Sequence, residues 1–152
     1  MSDLLTRTEY QAIADEMVYP RAAFIDGKYQ AGRGDSLTSI NPATGHAIAQ
    51  IAACNTEDVD FAVQKAKEAF EQGHWSKMHP SERKGVLVRL CKLMTRNRRE
   101  LAVLESLESG KPIADCEGID IPESIHTILW HAEAIDKIYD QTGPSGDSAI
   151  SM

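Results

Sequence analysis

The sequence predicts a chain of helices plus β-hairpins, on three features. Short apolar runs flank Asp26-Gly27 and residues 41–45, which is the pattern of two hairpins. From residue 56 onward, apolar side chains recur at helical spacing in three successive stretches. Glycine or proline punctuates the ends of those stretches, where a helix must stop or start.

In chain order, residues 3–16 read as a short helix capped by Ser2 or Asp3. Residues 24–29 form the first hairpin, because Asp-Gly accepts the positive φ angles of a type I′ turn. In the second hairpin, residues 36–40 are one arm and 46–53 the other, anchored by Ile48 and Ile51. Pro42 fixes φ early in the intervening turn and Gly45 closes it.

Thr56 is expected to cap the next helix, with Glu57 and Asp58 in its first turn, where the helix dipole favours carboxylates. Val59, Val63, Ala66 and Phe70 predict one buried face, and Gly73 ends the helix. Pro80 and Ser81 open a longer helix with the stripe Leu87, Leu90, Met94, Leu101 and Leu104. It breaks near Asn97 and stops at Gly110 and Pro112. A last helix runs over about 122–139. Ile125, Leu129, Ala132, Ile135 and Tyr139 share one side, and Glu123, Thr127, Trp130 and Ala134 the opposite side. Residues 143–152 are polar and become strand-like at Ala149-Ile150.

A chain of 152 residues is one domain or part of one, and 42% hydrophobic residues are enough for a core. A net charge of −7 argues against a nucleic-acid partner, which needs a basic face. The local cluster Lys92, Arg96, Arg98 and Arg99 reads as a solvated helix face. No run approaches the ~18 apolar residues of a membrane helix. The N-terminus lacks the basic-then-apolar pattern of a signal peptide. Cys54, Cys91 and Cys116 are widely spaced and odd in number, which suits a reducing, cytoplasmic compartment and no disulfide framework. None lies in a motif that activates a thiolate. His126 and His131 diverge by about 140° on a helix, so they cannot share a metal. His74 and His79 have no cysteine or histidine cluster around them.

Two motifs carry the identity of the chain: Ser39-Ile40-Asn41-Pro42-Ala43-Thr44-Gly45 and Glu105-Ser106-Leu107-Glu108-Ser109-Gly110-Lys111-Pro112. Around them stand Phe24-Ile25-Asp26-Gly27, Thr56-Glu57-Asp58-Val59-Asp60 and Trp75 followed by Ser81-Glu82-Arg83. In this order and spacing, residues 19–143 resemble the N-terminal part of the aldehyde dehydrogenase superfamily. Among its subgroups they resemble the bacterial enzymes that oxidise γ-glutamyl-aminobutyraldehyde and related aminoaldehydes in polyamine catabolism.

The resemblance implies an α/β parent with the aldehyde dehydrogenase fold. In it, this segment's helices and β-hairpins flank a Rossmann-like sheet supplied by other residues. Residues 1–140 would be the N-terminal part of the cofactor-binding domain, and 141–152 the start of the oligomerisation hairpin. The parent would be a cytoplasmic homodimer or homotetramer that oxidises a small-molecule aldehyde with NAD or NADP. Its chemistry would pass through a cysteine thiohemiacetal, a glutamate-activated water, and an oxyanion site of asparagine and backbone N–H. The family's Trp-Asn-Phe-Pro, Glu-Leu-Gly-Gly and Gly-Gln-x-Cys motifs, which carry those groups, do not occur in these 152 residues. No catalytic or cofactor-binding residue is therefore expected here, and the isolated chain is expected to be inactive. The alternatives are a stand-alone α+β binding or regulatory module derived from the family, and a partly unfolded fragment with exposed apolar stripes.

The resemblance also implies two groups of candidate site residues. Ser39 and Ile40, through backbone carbonyls, and Glu108, through its side chain, match positions that bind sodium or potassium in many family members, and oxygen donors suit a hard cation; the plainer role for Glu108 is a surface residue at a helix C-terminus. Glu108 is longer than the aspartate found in many relatives, so the site is expected to shift or to use a water. Asp120, Glu123 and Trp130 match the mouth of the substrate tunnel, where acid and aromatic groups would meet a cationic amine tail. The plainer roles are an N-cap for Asp120 and a first-turn carboxylate for Glu123.

Overall fold

The computed structural model describes residues 3–138; expectations for Ser2, Tyr139 and residues 141–152 fall outside them. Two two-stranded antiparallel hairpins precede a run of helices.

Helix α1 spans Arg7–Glu16 and begins at Thr6, later than expected. The reason is a capping box. Thr6 Oγ1 accepts from Glu9 N at 3.4 Å, and Glu9 Oε2 accepts from Thr6 N at 2.8 Å. Such a cap contributes about 1 kcal/mol. Asp3 caps nothing; its carboxylate pairs with Arg98.

Strands β1 (Ala23–Ile25) and β2 (Lys28–Gln30) pair as expected, with Phe24 opposite Tyr29. Asp26 and Gly27 take φ of 54° and 74°, the two positive values a type I′ turn requires. Strands β3 (Ser36–Ile40) and β4 (Ala47–Ala52) form the second hairpin, with an irregularity at Ser39/Ile40. Its turn is held by Asn41, whose side chain accepts from Ala43 N at 2.9 Å and whose carbonyl accepts from Gly45 N at 2.8 Å.

Helix α2 (Thr56–Gln72) is capped one residue before the expected position. Asn55 is the N-cap and Thr56 is already helical. Asn55 wins because Asp58, three residues on, completes a reciprocal box with it at 3.0 and 3.1 Å. Gly73 ends the helix with φ 81°. The predicted burial of its apolar stripe does not hold: Val59, Val63 and Phe70 are 53%, 62% and 70% exposed. Among the described residues no element covers that face.

Helices α3 (Pro80–Arg96) and α4 (Arg98–Ser109) are separated by the expected break at Asn97. His79 caps α3 through Nδ1, which accepts from Ser81 N at 3.3 Å. The inward residue of the stripe is Cys91 rather than Leu90, which is exposed. Gly110 terminates α4 with φ 74°.

The stretch after Gly110 departs furthest from expectation. The stretch between Pro112 and residue 122, which lies in no predicted helix, is helical: a turn, α5 (Ile113–Asp115), then a π-helical segment (Cys116–Asp120), then α6 (Ile121–Ala134). The core lies here. Ala102 of α4 packs with Cys116 and Ile121, flanked by Leu101, Ile113 and Ile125. Helix α6 also packs along α3, where Cys91 Sγ lies 3.7 Å from the Ile125 carbonyl, and Lys84 pairs with Asp136 at 3.0 Å.

Candidate functional site

The two sequence motifs meet in space. Ser39 Oγ donates to Glu108 Oε1 at 3.0 Å, joining β3 to the end of α4 across sixty-nine positions. Beside them Gly110 abuts the Asn-Pro turn so closely that a Cβ there would lie 2.9 Å from Pro42 Cγ. Glycine is required at this position twice over, by its positive φ and by that approach. Tyr19 stands nearby, its phenol pushed up by burial and then by the negative charges of Asp15 and Glu108. The Ser39–Glu108 hydrogen bond brings the Glu108 side chain to the end of the strand that carries Ser39 and Ile40. The Ile40 side chain is exposed. Among the described residues no three acidic, histidine or cysteine side chains form a metal cluster.

Asp120, Glu123 and Trp130 are placed by the π-helical segment. In a continuous α-helix, residues seven and fourteen beyond Cys116 would fall within about 20° and 40° of it. Those residues are Glu123 and Trp130, which would then point into the core. Instead Ile121 N–H donates to the Cys116 carbonyl, five residues back, and the turn holds one extra residue. That residue sets Cys116 and Ile121 on one face, and both are buried. Glu123 is consequently exposed, and Trp130 is 63% exposed, edge-on to the His131 ring at 4.9 Å. Seven residues apart, the two stand on the same outward face about 10 Å from each other along the helix.

The N-cap role expected for Asp120 does not hold. Its backbone is helical, with φ −65° and ψ −47°, and its side chain makes no cap bond. Both carboxylate oxygens instead lie 2.6 Å from Lys111 Nζ, a pairing that raises the lysine's pKa. His131 donates Nδ1–H to the Thr127 carbonyl at 2.8 Å and is thereby occupied.

The structure also shows a cluster that the sequence did not reveal. Buried Glu117 accepts from Tyr10 Oη–H at 2.6 Å and lies 3.6 and 3.4 Å from the Nε atoms of Arg98 and Arg99. Arg98 and Arg99 also hold Asp3. The basic cluster expected to be a solvated face is therefore, at these two positions, the anchor of α1. Burial raises the Tyr10 phenol, and the adjacent Glu117 carboxylate raises it further. Buried Cys116 has its thiol pushed up by burial and then by Asp120 and Glu105, the opposite of what activates a thiolate.

Comparison with known proteins gives a consistent result. Residues 29–152 match the Aldehyde dehydrogenase family. The aminoacetaldehyde dehydrogenase of Pseudomonas aeruginosa is 52% identical over 153 aligned residues, covering 100% of this chain and 31% of its own length. Among solved structures, the P. syringae AldA indole-3-acetaldehyde dehydrogenase in complex with NAD+ superposes with a TM-score of 0.90. It is 38% identical over 95% of this chain and 29% of its own. The γ-glutamyl-γ-aminobutyraldehyde dehydrogenase of Burkholderia cenocepacia superposes with a TM-score of 0.89, at 36% identity over 93% of this chain and 29% of its own. The chain spans less than a third of the length of these relatives.

Proposed function

The chain belongs to the aldehyde dehydrogenase family, and from that premise we propose that it is the N-terminal part of an oxidoreductase that oxidises an aminoaldehyde to its carboxylic acid. The carrying observation is the 52% identity, over the whole chain, with an aminoacetaldehyde dehydrogenase. NAD or NADP supplies the hydride acceptor in such an enzyme. No residue of this chain is assigned to catalysis or to the nucleotide, and the isolated 152-residue chain is expected to be inactive. In this reading residues 1–140 belong to the cofactor-binding domain and 141–152 begin the oligomerisation hairpin of a cytoplasmic homodimer or homotetramer acting in polyamine catabolism.

What this chain contributes is recognition and a structural ion. Asp120, Glu123 and Trp130 line the entrance: the Glu123 carboxylate draws an ammonium tail in, the exposed indole offers it a π face, and Asp120, paired with Lys111, borders them. Ser39, Ile40 and Glu108 hold K+ or Na+. The first two would bind through backbone carbonyls and Glu108 through its carboxylate, which the 3.0 Å bond from Ser39 Oγ keeps beside that strand end.

The test uses the full-length protein encoded by the gene, with reduction of the nicotinamide as readout. A cationic ω-aminoaldehyde is expected to give a higher kcat/KM than a neutral aldehyde of equal length. Glu123→Gln should raise KM for the cationic substrate alone. Absence of aldehyde oxidation, or an equal rise in both KM values, rejects the reading. Exchange of potassium for a bulky organic cation should lower Tm, and Glu108→Ala should remove that response.

A further inference from the structure

We propose that Lys111 is a specificity-determining positioning residue: it holds Asp120 in the π-helical segment and withholds that carboxylate's charge from the substrate entrance, leaving Glu123 as the acid that an amine meets. This rests on the aminoaldehyde reading above.

Three observations carry the inference. Lys111 Nζ lies 2.6 Å from both oxygens of Asp120, so the pair presents no net charge. The lysine leaves the chain just after the glycine stop of α4, and the aspartate closes the π-helical segment nine residues later, so the pair closes that loop on itself. Asp120 and Glu123 are three residues apart on a continuous helical path, neighbours at about 5–6 Å between Cβ atoms. Released from Lys111, the Asp120 carboxylate would lie one turn from Glu123 on the approach of a cationic ligand. The lysine therefore controls how much negative charge that approach carries.

The sign of the effect separates this role from a structural one. Lys111→Met in the full-length enzyme frees one carboxylate. KM for a cationic ω-aminoaldehyde should fall about two- to fivefold at low salt, as one extra charge across a few ångströms of water-rich surface allows. KM for the neutral aldehyde and kcat for both should stay put, and high salt should erase the gain. Lys111→Arg should keep the parent's ratio of the two KM values. Lys111→Met combined with Asp120→Asn removes both charges and should bring that ratio back to the parent's. This second variant carries no unpaired charge and covers the case in which Lys111→Met fails to fold. A rise in both KM values, or a double variant that binds the cationic substrate more weakly than the parent, overturns the inference. Failure of the aminoaldehyde reading shows separately, as a parent enzyme that does not prefer the cationic substrate or a Glu123→Gln variant that does not lose it.

Discussion

Helices α2 and α6 carry similar sequence signals and meet different fates. Both are amphipathic, and the spacing in each predicts one buried stripe. In α6, Ile121 and Ala132 are buried, because α3, α4 and the π-helical segment stand opposite them. In α2, Val59, Val63 and Phe70 remain more than half exposed, because no described element lies over them. A helical stripe states which face is available for packing; only the neighbours decide whether it is packed. The chain spans less than a third of the length of these relatives.

The comparison can be broken most forcefully at the stripes themselves. Ile121→Ala should destabilise the chain by about 2–4 kcal/mol in urea unfolding, the usual cost of emptying a packed site. Phe70→Ala should cost less than about 0.5 kcal/mol, as a change on an exposed face. Equal losses would mean that α2 is covered after all. A middle-sized effect is expected where α1 meets the packed half. Tyr10→Phe removes the 2.6 Å bond to buried Glu117 and should cost about 1.5–3 kcal/mol, as expected for a hydrogen bond to a charged group. Amide exchange should then speed up in α1 and not in α2.

The smallest expected effect lies at the start of α2. Asp58 accepts from Arg33 N at 2.8 Å and Asn55 N at 3.1 Å and pairs with Arg33 Nε at 3.4 Å. The backbone bond from Arg33, above all, holds its carboxyl below the usual aspartate range. A depressed folded-state pKa contributes stability that is complete above the unfolded value, roughly 4, and disappears as pH falls through the folded value. Tm should therefore drop on acidification below about pH 4, and Asp58→Asn should flatten that drop. An unchanged acid limb in the variant would remove Asp58 from the account.

The chemistry was legible in the sequence to very different depths. Ser39 and Glu108 are paired by the resemblance, and the structure brings them within 3.0 Å. Glu123 and Trp130 are placed together by the helical repeat and do share an exposed face. The partner of Asp120 was not legible, since a salt bridge to Lys111 leaves no trace in periodicity. Nor was Glu117, whose partner Tyr10 is 107 positions away.

What the sequence determined by itself is the punctuation: Asp26-Gly27, the Asn41 turn, the breaks at Gly73, Asn97 and Gly110. These depend on φ preferences and on bonds spanning two to five residues, so local chemistry is sufficient. The tertiary structure alone decided the face of α6 that looks outward. Cys116 and Ile121 both had to reach the same core, and a helical turn whose hydrogen-bonded partners are five positions apart was the way to bring them there. It also decided which charges are spent on one another, because that depends on side chains brought together from distant parts of the chain.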